Sequence, residues 1–249
     1  MILTSPKNEL VKRLRSLKTK KGREEEGLHL IEGERLVFDA LAGGLIPCEV
    51  LGREGESAVR ERLDALCVPY IEASEAVMRA VSDTDSPQGV CAALETPDMR
   101  PPEEYPSGLI VCLDRLQDPG NLGTVIRTAD ALGASGVLIS EGTTDPFSPK
   151  ALRAAMGSTY HLPIYKGELP HELKRLKSAG FYAVCGHLSG EESLPELPAN
   201  RALVIGNEAN GVSPEAAEEC FLYKLPMRGR AESLNAAVFA AIMIYKLTE

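Results

Sequence analysis

Leu225-Pro226-Met227-Arg228-Gly229-Arg230-Ala231-Glu232-Ser233-Leu234-Asn235-Ala236-Ala237-Val238 joins the end of an apolar strand to a polar loop and then to an Ala-rich, apolar helix. Two accounts of this stretch stand side by side. In one, Ser233 caps the helix by offering its hydroxyl oxygen to orphan backbone N–H groups, and the polarity is that of any helix start. In the other, the stretch is a site. Asn235 then falls within the first turn, where packing makes no demand for an amide, and polar groups gathered between a strand end and a buried helix suit ligand contact.

Working back along the chain, apolar runs at 109–113, 137–140, 182–185, 203–205 and 223–225 alternate with helical patterns. That alternation predicts an α/β fold with a mostly parallel sheet covered by helices. Ahead of it, residues 96–107 hold Pro97, Pro101, Pro102 and Pro106 and almost no aliphatic side chains, which predicts an extended, semi-rigid linker. Residues 1–95 read as a smaller α/β unit. Ser5-Pro6 starts a helix whose stripe is Leu10, Leu14 and Leu17. Strands follow near 28–31, 48–51, 69–71 and 89–94, with helices near 35–42, 59–66 and 74–81. A chain of 249 residues accommodates two such units.

Composition narrows the function. The net charge of −9 excludes an all-round nucleic-acid coat. Its distribution is uneven, because Lys7, Lys12, Arg13, Arg15, Lys18, Lys20, Lys21 and Arg23 cluster at the start against only Glu9. This cluster is either the solvated face of a helix or a local RNA-contacting arm. No apolar run approaches the ~20 residues that span a bilayer, and the first residues lack the pattern of a secretory signal, so a cytoplasmic protein without a membrane partner is expected. Cys48, Cys67, Cys91, Cys112, Cys185 and Cys220 are widely separated, as are His29, His161, His171 and His187, so neither a metal site nor a Cys/His catalytic pair is expected.

Two further junctions carry polar residues. After the 109–113 strand, Asp114-Arg115-Leu116-Gln117-Asp118-Pro119-Gly120-Asn121 precedes a helix with the stripe Leu122, Val125, Ile126, Ala129 and Leu132. Asn121 reads as its N-cap and Gly133 as its stop. Arg127 flanks the stripe and is either a surface ion-pair partner or a functional group. After the 203–205 strand, Gly206-Asn207-Glu208-Ala209-Asn210-Gly211 forms a loop bracketed by glycines. Loops at the carboxyl ends of parallel strands are where open α/β sheets bind ligands. Glu208 in the loop, with no lysine and no phosphate-binding glycine motif, disfavours phosphate and suits an adenosine-type ligand held by backbone groups.

Taken together, Asn121 and Arg127, then Gly206 to Gly211, then Pro226 to Asn235, resemble the three motifs of the SpoU/TrmH branch of the SPOUT RNA methyltransferases. The resemblance covers residues 108–249. The N-terminal unit, with Ile31-Glu32-Gly33-Glu34-Arg35-Leu36-Val37, looks like the L30e-like RNA substrate-binding domain that many members carry. It implies a C-terminal α/β trefoil-knot domain that binds S-adenosyl-L-methionine and works as a homodimer through that domain. Gly206, Asn207, Glu208, Gly211, Leu225, Met227 and Leu234 would lie at the cofactor, and Arg127, Asn121, Glu208, Ser233 and Asn235 would be the catalytic set. Lys12, Arg13, Lys18, Lys20, Lys21 and Arg23 would guide the RNA. The implied reaction is methyl transfer to a ribose 2′-hydroxyl of RNA, with 23S ribosomal RNA as first choice and transfer RNA as second. A non-catalytic RNA-binding protein that keeps the fold is the rival reading.

Overall fold

A computed structural model describes residues 2–230 and 233–248; Ala231 and Glu232 of the opening stretch lie outside the described residues. The chain forms two compact units, one of residues 1–97 with 147–152, the other of residues 98–146 with 153–249.

In the N-terminal unit, helices α1 (Glu9–Ser16) and α2 (Lys20–Glu26) precede β1 (Leu28–Glu32), α3 (Glu34–Ala42), β2 (Glu49–Arg53), α4 (Ser57–Ala65), β3 (Ile71–Ala73), α5 (Glu75–Val81) and β4 (Val90–Glu95). The strands lie in the order β1-β4-β2-β3, with β4 antiparallel to β1 and β2 and β3 parallel to β2. Val11, Leu14 and Leu17 pack with Leu28, Leu51, Val77 and Met78 in the core. The helix start differs from the sequence reading. Asn8, not Ser5, caps α1, its side-chain oxygen accepting from the Leu10 N–H at 2.9 Å. Ser5-Pro6 instead forms the turn before it, where the Asn8 N–H donates to the Ser5 carbonyl at 3.1 Å. The unpredicted α2 has no apolar stripe. Thr19 caps it through the Gly22 N–H at 3.1 Å, and Lys20–Glu24 and Lys21–Glu25 pairs line its surface.

The C-terminal unit contains β5 (Leu109–Leu113), α6 (Pro119–Ala131), β6 (Gly136–Ser140), the last three residues of α7 (Pro149–Ala155), β7 (Ile164–Gly167), α8 (Leu169–Ser178), β8 (Tyr182–Glu191), β9 (Arg201–Ile205), α9 (Pro214–Ala217), β10 (Phe221–Tyr223) and α10 (Ala236–Thr248). Its six strands run in the order β10-β8-β9-β5-β6-β7, every neighbouring pair parallel. Both β5 and β6 are buried along their whole length, as strands covered on two faces must be. Leu122, Val125, Ile126 and Ala129 of α6 are buried, each large side chain contributing about 1.5–3 kcal/mol.

The last strand ends at Tyr223, two residues earlier than its apolar run suggested, and lies at the sheet edge beside β8. By contrast, α10 packs on α6, β5 and β9 in the middle. Between Tyr223 and α10 the chain therefore goes from the edge of the sheet to its centre. The proline-rich segment is not a free tether. Its Met99 carbonyl accepts from the Lys166 N–H at 2.6 Å, and buried Tyr105 donates to Glu172 at 2.7 Å. Arg175 holds the carbonyls of Pro102 and Glu103 at 2.6 and 2.8 Å.

Candidate active site

The carboxyl ends of β5 and β9 carry adjacent loops, and α10 begins beside them. The N-cap of α6 is Asp118, whose carboxylate accepts from the Asn121 N–H at 2.8 Å with Pro119 at the first helical position. Asn121, expected as the cap, therefore sits in the first turn with its amide free to reach outward. Its Nδ2 donates to Glu208 Oε1 at 3.0 Å, and its Oδ1 accepts from Asn235 Nδ2 at 3.0 Å. One chain of hydrogen bonds thus joins the three polar junctions.

The cap of α10 also differs from expectation. Asn235 Oδ1 accepts from the N–H groups of Ala237 and Val238 at 2.9 and 3.2 Å, so Asn235 rather than Ser233 occupies the capping position. Its amide has two tasks. Oxygen caps the helix while nitrogen reaches Asn121, which explains an asparagine where serine would cap equally well. Ser233 is exposed two residues ahead of it.

Glu208 collects donors. Besides Asn121, the Asp118 N–H donates to Oε1 and the Gln117 N–H to Oε2, both at 3.2 Å. Partial desolvation pushes this carboxyl up, but the hydrogen bonds from Asn121, from its own backbone and from Gln117 and Asp118 outweigh that and hold it below the usual carboxylate range. Glu208 is an ionised acceptor near neutrality, suited to ordering a site and not to giving up a proton.

Asn207 shapes its own loop. Its backbone exchanges hydrogen bonds with Gly211 at 2.9 Å, its Oδ1 accepts from the Ala209 and Asn210 N–H groups, and its Nδ2 donates to the Arg115 carbonyl at 2.8 Å. Gly211 has φ of 70°, a left-handed conformation that favours glycine. At Gly206 the requirement is space, since an added Cβ would overlap the backbone of Gly211 and Val212.

Sequence reading missed the residues beneath this loop. Asp114 is buried at 3% exposure, accepts from the Ser213 N–H at 2.6 Å and pairs with Arg115 Nε at 3.2 Å. Arg115 adopts φ of 55°. Its carbonyl accepts from Asn207 and, at 3.0 Å, from Gln117 Nε2, while Gln117 also reaches the Gly142 carbonyl at 2.6 Å. Asp118-Pro119 is itself a cap-and-proline signal and was readable; nothing in the sequence announces Arg115 or Gln117.

The remaining candidates are placed without direct links to that chain. Arg127 is exposed on α6 and makes no ion pair or hydrogen bond among the described residues, so the surface ion-pair account of it does not hold. Leu225 and Leu234 are half-buried and Met227 is exposed, all on irregular backbone. Those features fit an adenosine-bearing cofactor. Residues 225–228 and 233–234 belong to no helix or strand and make no backbone–backbone hydrogen bond among the described residues, which leaves main-chain groups for adenine and ribose, and Gly206 and Gly211 let the opposite loop approach.

The basic N-terminal set divides. Lys12 pairs with Glu9 at 2.7 Å, Arg13 with Glu26 at 2.6 Å, and Lys20 and Lys21 with glutamates one turn along α2. Arg23, expected to contact RNA, is only 6% exposed and donates to the Leu17 carbonyl at 2.8 Å. Its place is inside the fold, where it ties α2 to the end of α1. Lys18 is half-buried, and desolvation pushes its ammonium below the usual lysine range despite Asp83 nearby.

Residues 108–245 match the family model described as the SpoU rRNA Methylase family, and residues 8–92 match that of the MRM3-like substrate binding domain. The chain is 38% identical over 248 residues to the 23S rRNA (guanosine(2553)-2'-O)-methyltransferase RlmP of Bacillus subtilis, with 98% of each chain covered. Among solved structures, an AdoMet-bound rRNA methyltransferase from Sinorhizobium meliloti superposes with a TM-score of 0.88 at 35% identity, covering 99% of this chain and 97% of that one. The SpoU methyltransferase AviRb from Streptomyces viridochromogenes, in complex with AdoMet, gives 0.84 at 28% identity with 97% of both covered.

Proposed function

The chain belongs to the SpoU rRNA methylase family, and from that premise we propose that it methylates a ribose 2′-hydroxyl of 23S ribosomal RNA at the site built by Asn121, Glu208 and Asn235. The observation that carries the placement is the hydrogen-bond chain from Asn235 through Asn121 to Glu208, which joins all three motif segments at the strand ends. Likeness along the whole length to a 23S ribosomal RNA enzyme favours that substrate over transfer RNA.

S-adenosylmethionine is the cofactor, and when bound it supplies a methyl group already activated on a sulfonium. Gly206, Asn207 and Gly211 line one side of its site, and Leu225, Met227 and Leu234 the other. The protein's task is alignment of the ribose oxygen and help in removing its proton. Arg127 grips the phosphate beside the target ribose; a guanidinium is a poor base but a good two-pronged anion clamp. Asn121 and Asn235 keep the loops in register, Glu208 fixes the turn before α6, and Ser233 positions the ribose at the start of α10. The 2′-hydroxyl itself distinguishes RNA from DNA.

Residues 1–95 serve as the RNA-binding domain, 96–107 as the connection and 108–249 as the catalytic domain. Lys12, Arg13, Lys18, Lys20 and Lys21 guide RNA, with Lys18 the one among them that has no carboxylate partner in an ion pair among the described residues. The C-terminal segment is threaded as a trefoil knot, a reading supported by its return from the sheet edge to α10 in the middle. On α10, Val238, Ile242 and Tyr245 form an apolar stripe between 40% and 55% exposed, which suits a second copy of the chain. Six free thiols suit a reducing cytoplasm. No described helix is long and apolar enough to cross a membrane.

Incubation of the protein with labelled S-adenosylmethionine and either 23S ribosomal RNA or bulk transfer RNA tests the reading. Label is expected in the ribosomal RNA; label confined to transfer RNA would reassign the substrate, and no transfer to either, with cofactor binding also absent by calorimetry, would favour the non-catalytic alternative.

A further inference from the structure

Phosphate recognition needs guanidinium groups that the fold has not already neutralised. Most of the described arginines are committed: Arg13, Arg35, Arg53, Arg60, Arg62, Arg79, Arg100, Arg115 and Arg175 pair with carboxylates. Arg201 is held by the carbonyls of Pro198 and Leu247, and Arg23 by that of Leu17; Arg153 also has a partner. Only Arg15, Arg127, Arg228 and Arg230 make no hydrogen bond or ion pair among the described residues. Three of these four lie on segments that bear the candidate site.

Their spacing is suitable. Arg127 lies six residues along α6 from Asn121, about 9 Å at the helical rise. Arg230 is five residues from Asn235, so its Cα is at most about 18 Å away. Asn121 and Asn235 are themselves hydrogen-bonded at 3.0 Å. Both Arg228 and Arg230 are exposed on the loop that follows β10, on either side of Gly229. In a chain of net charge −9, exposed guanidinium groups left unpaired among the described residues on the segments joined by the Asn121–Asn235 hydrogen bond offer an anionic strand a landing point.

We propose that Arg228 and Arg230, together with Arg127, form a phosphate-binding rim that seats the RNA strand on both sides of the target ribose. This rests on the RNA-methyltransferase reading above and adds two substrate-binding residues to it. Arginine rather than lysine suits the role because its planar fork grips two phosphate oxygens at once.

The test compares wild type, Arg228→Ala/Arg230→Ala, Arg228→Lys/Arg230→Lys and the control Arg100→Ala, in the connecting segment, whose guanidinium is already paired with Asp98 at 2.6 Å. Methyl transfer to 23S ribosomal RNA and RNA binding are followed against salt, and S-adenosylmethionine affinity by calorimetry. The double alanine variant is expected to lower the slope of log Kd against log salt by about 1.4, from ~0.7 per single-strand phosphate contact. Its KM for RNA should rise roughly tenfold, with cofactor affinity within about twofold of wild type. The double lysine variant should restore the slope, and Arg100→Ala should leave it unchanged. An unchanged slope and KM in the double alanine variant would overturn the rim, as would an equal fall in Arg100→Ala or a loss confined to cofactor affinity. If wild type itself transfers no methyl to RNA, the underlying reading fails; its RNA-binding slope still judges the rim separately.

Discussion

Replacing Glu208 with Gln tests whether a charge organises the site. In the wild type, two carboxylate oxygens accept from Asn121 Nδ2 and from the N–H groups of Gln117 and Asp118, at 3.0 to 3.2 Å. The amide offers one oxygen and turns a donor toward the remaining N–H groups. Buried hydrogen bonds to a charge contribute about 1.5–3 kcal/mol each, but Glu208 is exposed on one side, so a total loss of about 1–2 kcal/mol is expected. For a chain of this size that lowers the melting temperature by roughly 3–6 °C. The pH dependence has a definite sign. Because the folded carboxyl lies below its ordinary value of 4.5, its contribution is present above that pH and disappears as pH falls through the folded pKa. Thermal melts of both proteins followed by circular dichroism, from about pH 7.5 to pH 3, should show a gap that is full at neutrality and closes in acid. A gap that stays constant across that range, or no gap at neutrality, would refute the argument from charge.

Three other substitutions separate the roles of neighbouring residues. Asn235→Ser keeps a capping oxygen but severs the link to Asn121, so stability should stay within about 0.5 kcal/mol while methyl transfer falls; Asn235→Ala should lose about 1 kcal/mol as well, read by urea denaturation. Arg115→Gly should be more stable than Arg115→Ala by about 0.5–1 kcal/mol, since glycine accepts the left-handed backbone at φ 55° and both variants lose the ion pair with Asp114. Gly206→Ala must displace the Gly211 backbone, and calorimetry should find S-adenosylmethionine binding at least about tenfold weaker with the N-terminal unit still folded.

Much of the architecture was legible because burial leaves a strong pattern. The runs at 109–113 and 203–205 are apolar without interruption, as strands covered on both faces require, and the α6 stripe repeats at helical spacing. Elements held by other forces were not legible. Helix α2 reads Lys-Lys-Gly-Arg-Glu-Glu-Glu and is stabilised by its Thr19 cap and by one-turn ion pairs, and β7 is a short edge strand with a single aliphatic residue. At the site, the three segments were found, but their connections were not. Whether Asn121 caps a helix or bridges two loops depends on which side chain reaches the first free N–H. Asp118 reaches it first, and that leaves Asn121 available for Glu208 and Asn235. Arg23 misled because basic sequence clustering does not distinguish a solvent-facing guanidinium from one turned inward onto a carbonyl.

The central claim is that this site methylates a ribose oxygen with Arg127 holding the substrate. Its most direct test is methyl transfer from labelled S-adenosylmethionine to 23S ribosomal RNA that lacks the modification, followed by nucleoside mass spectrometry, for wild type and Arg127→Ala. One 2′-O-methylated nucleotide is predicted for wild type and none for Arg127→Ala, with cofactor affinity nearly unchanged in the variant. Methyl found on a base, or an Arg127→Ala protein that still methylates the ribose at the wild-type rate, would contradict the account.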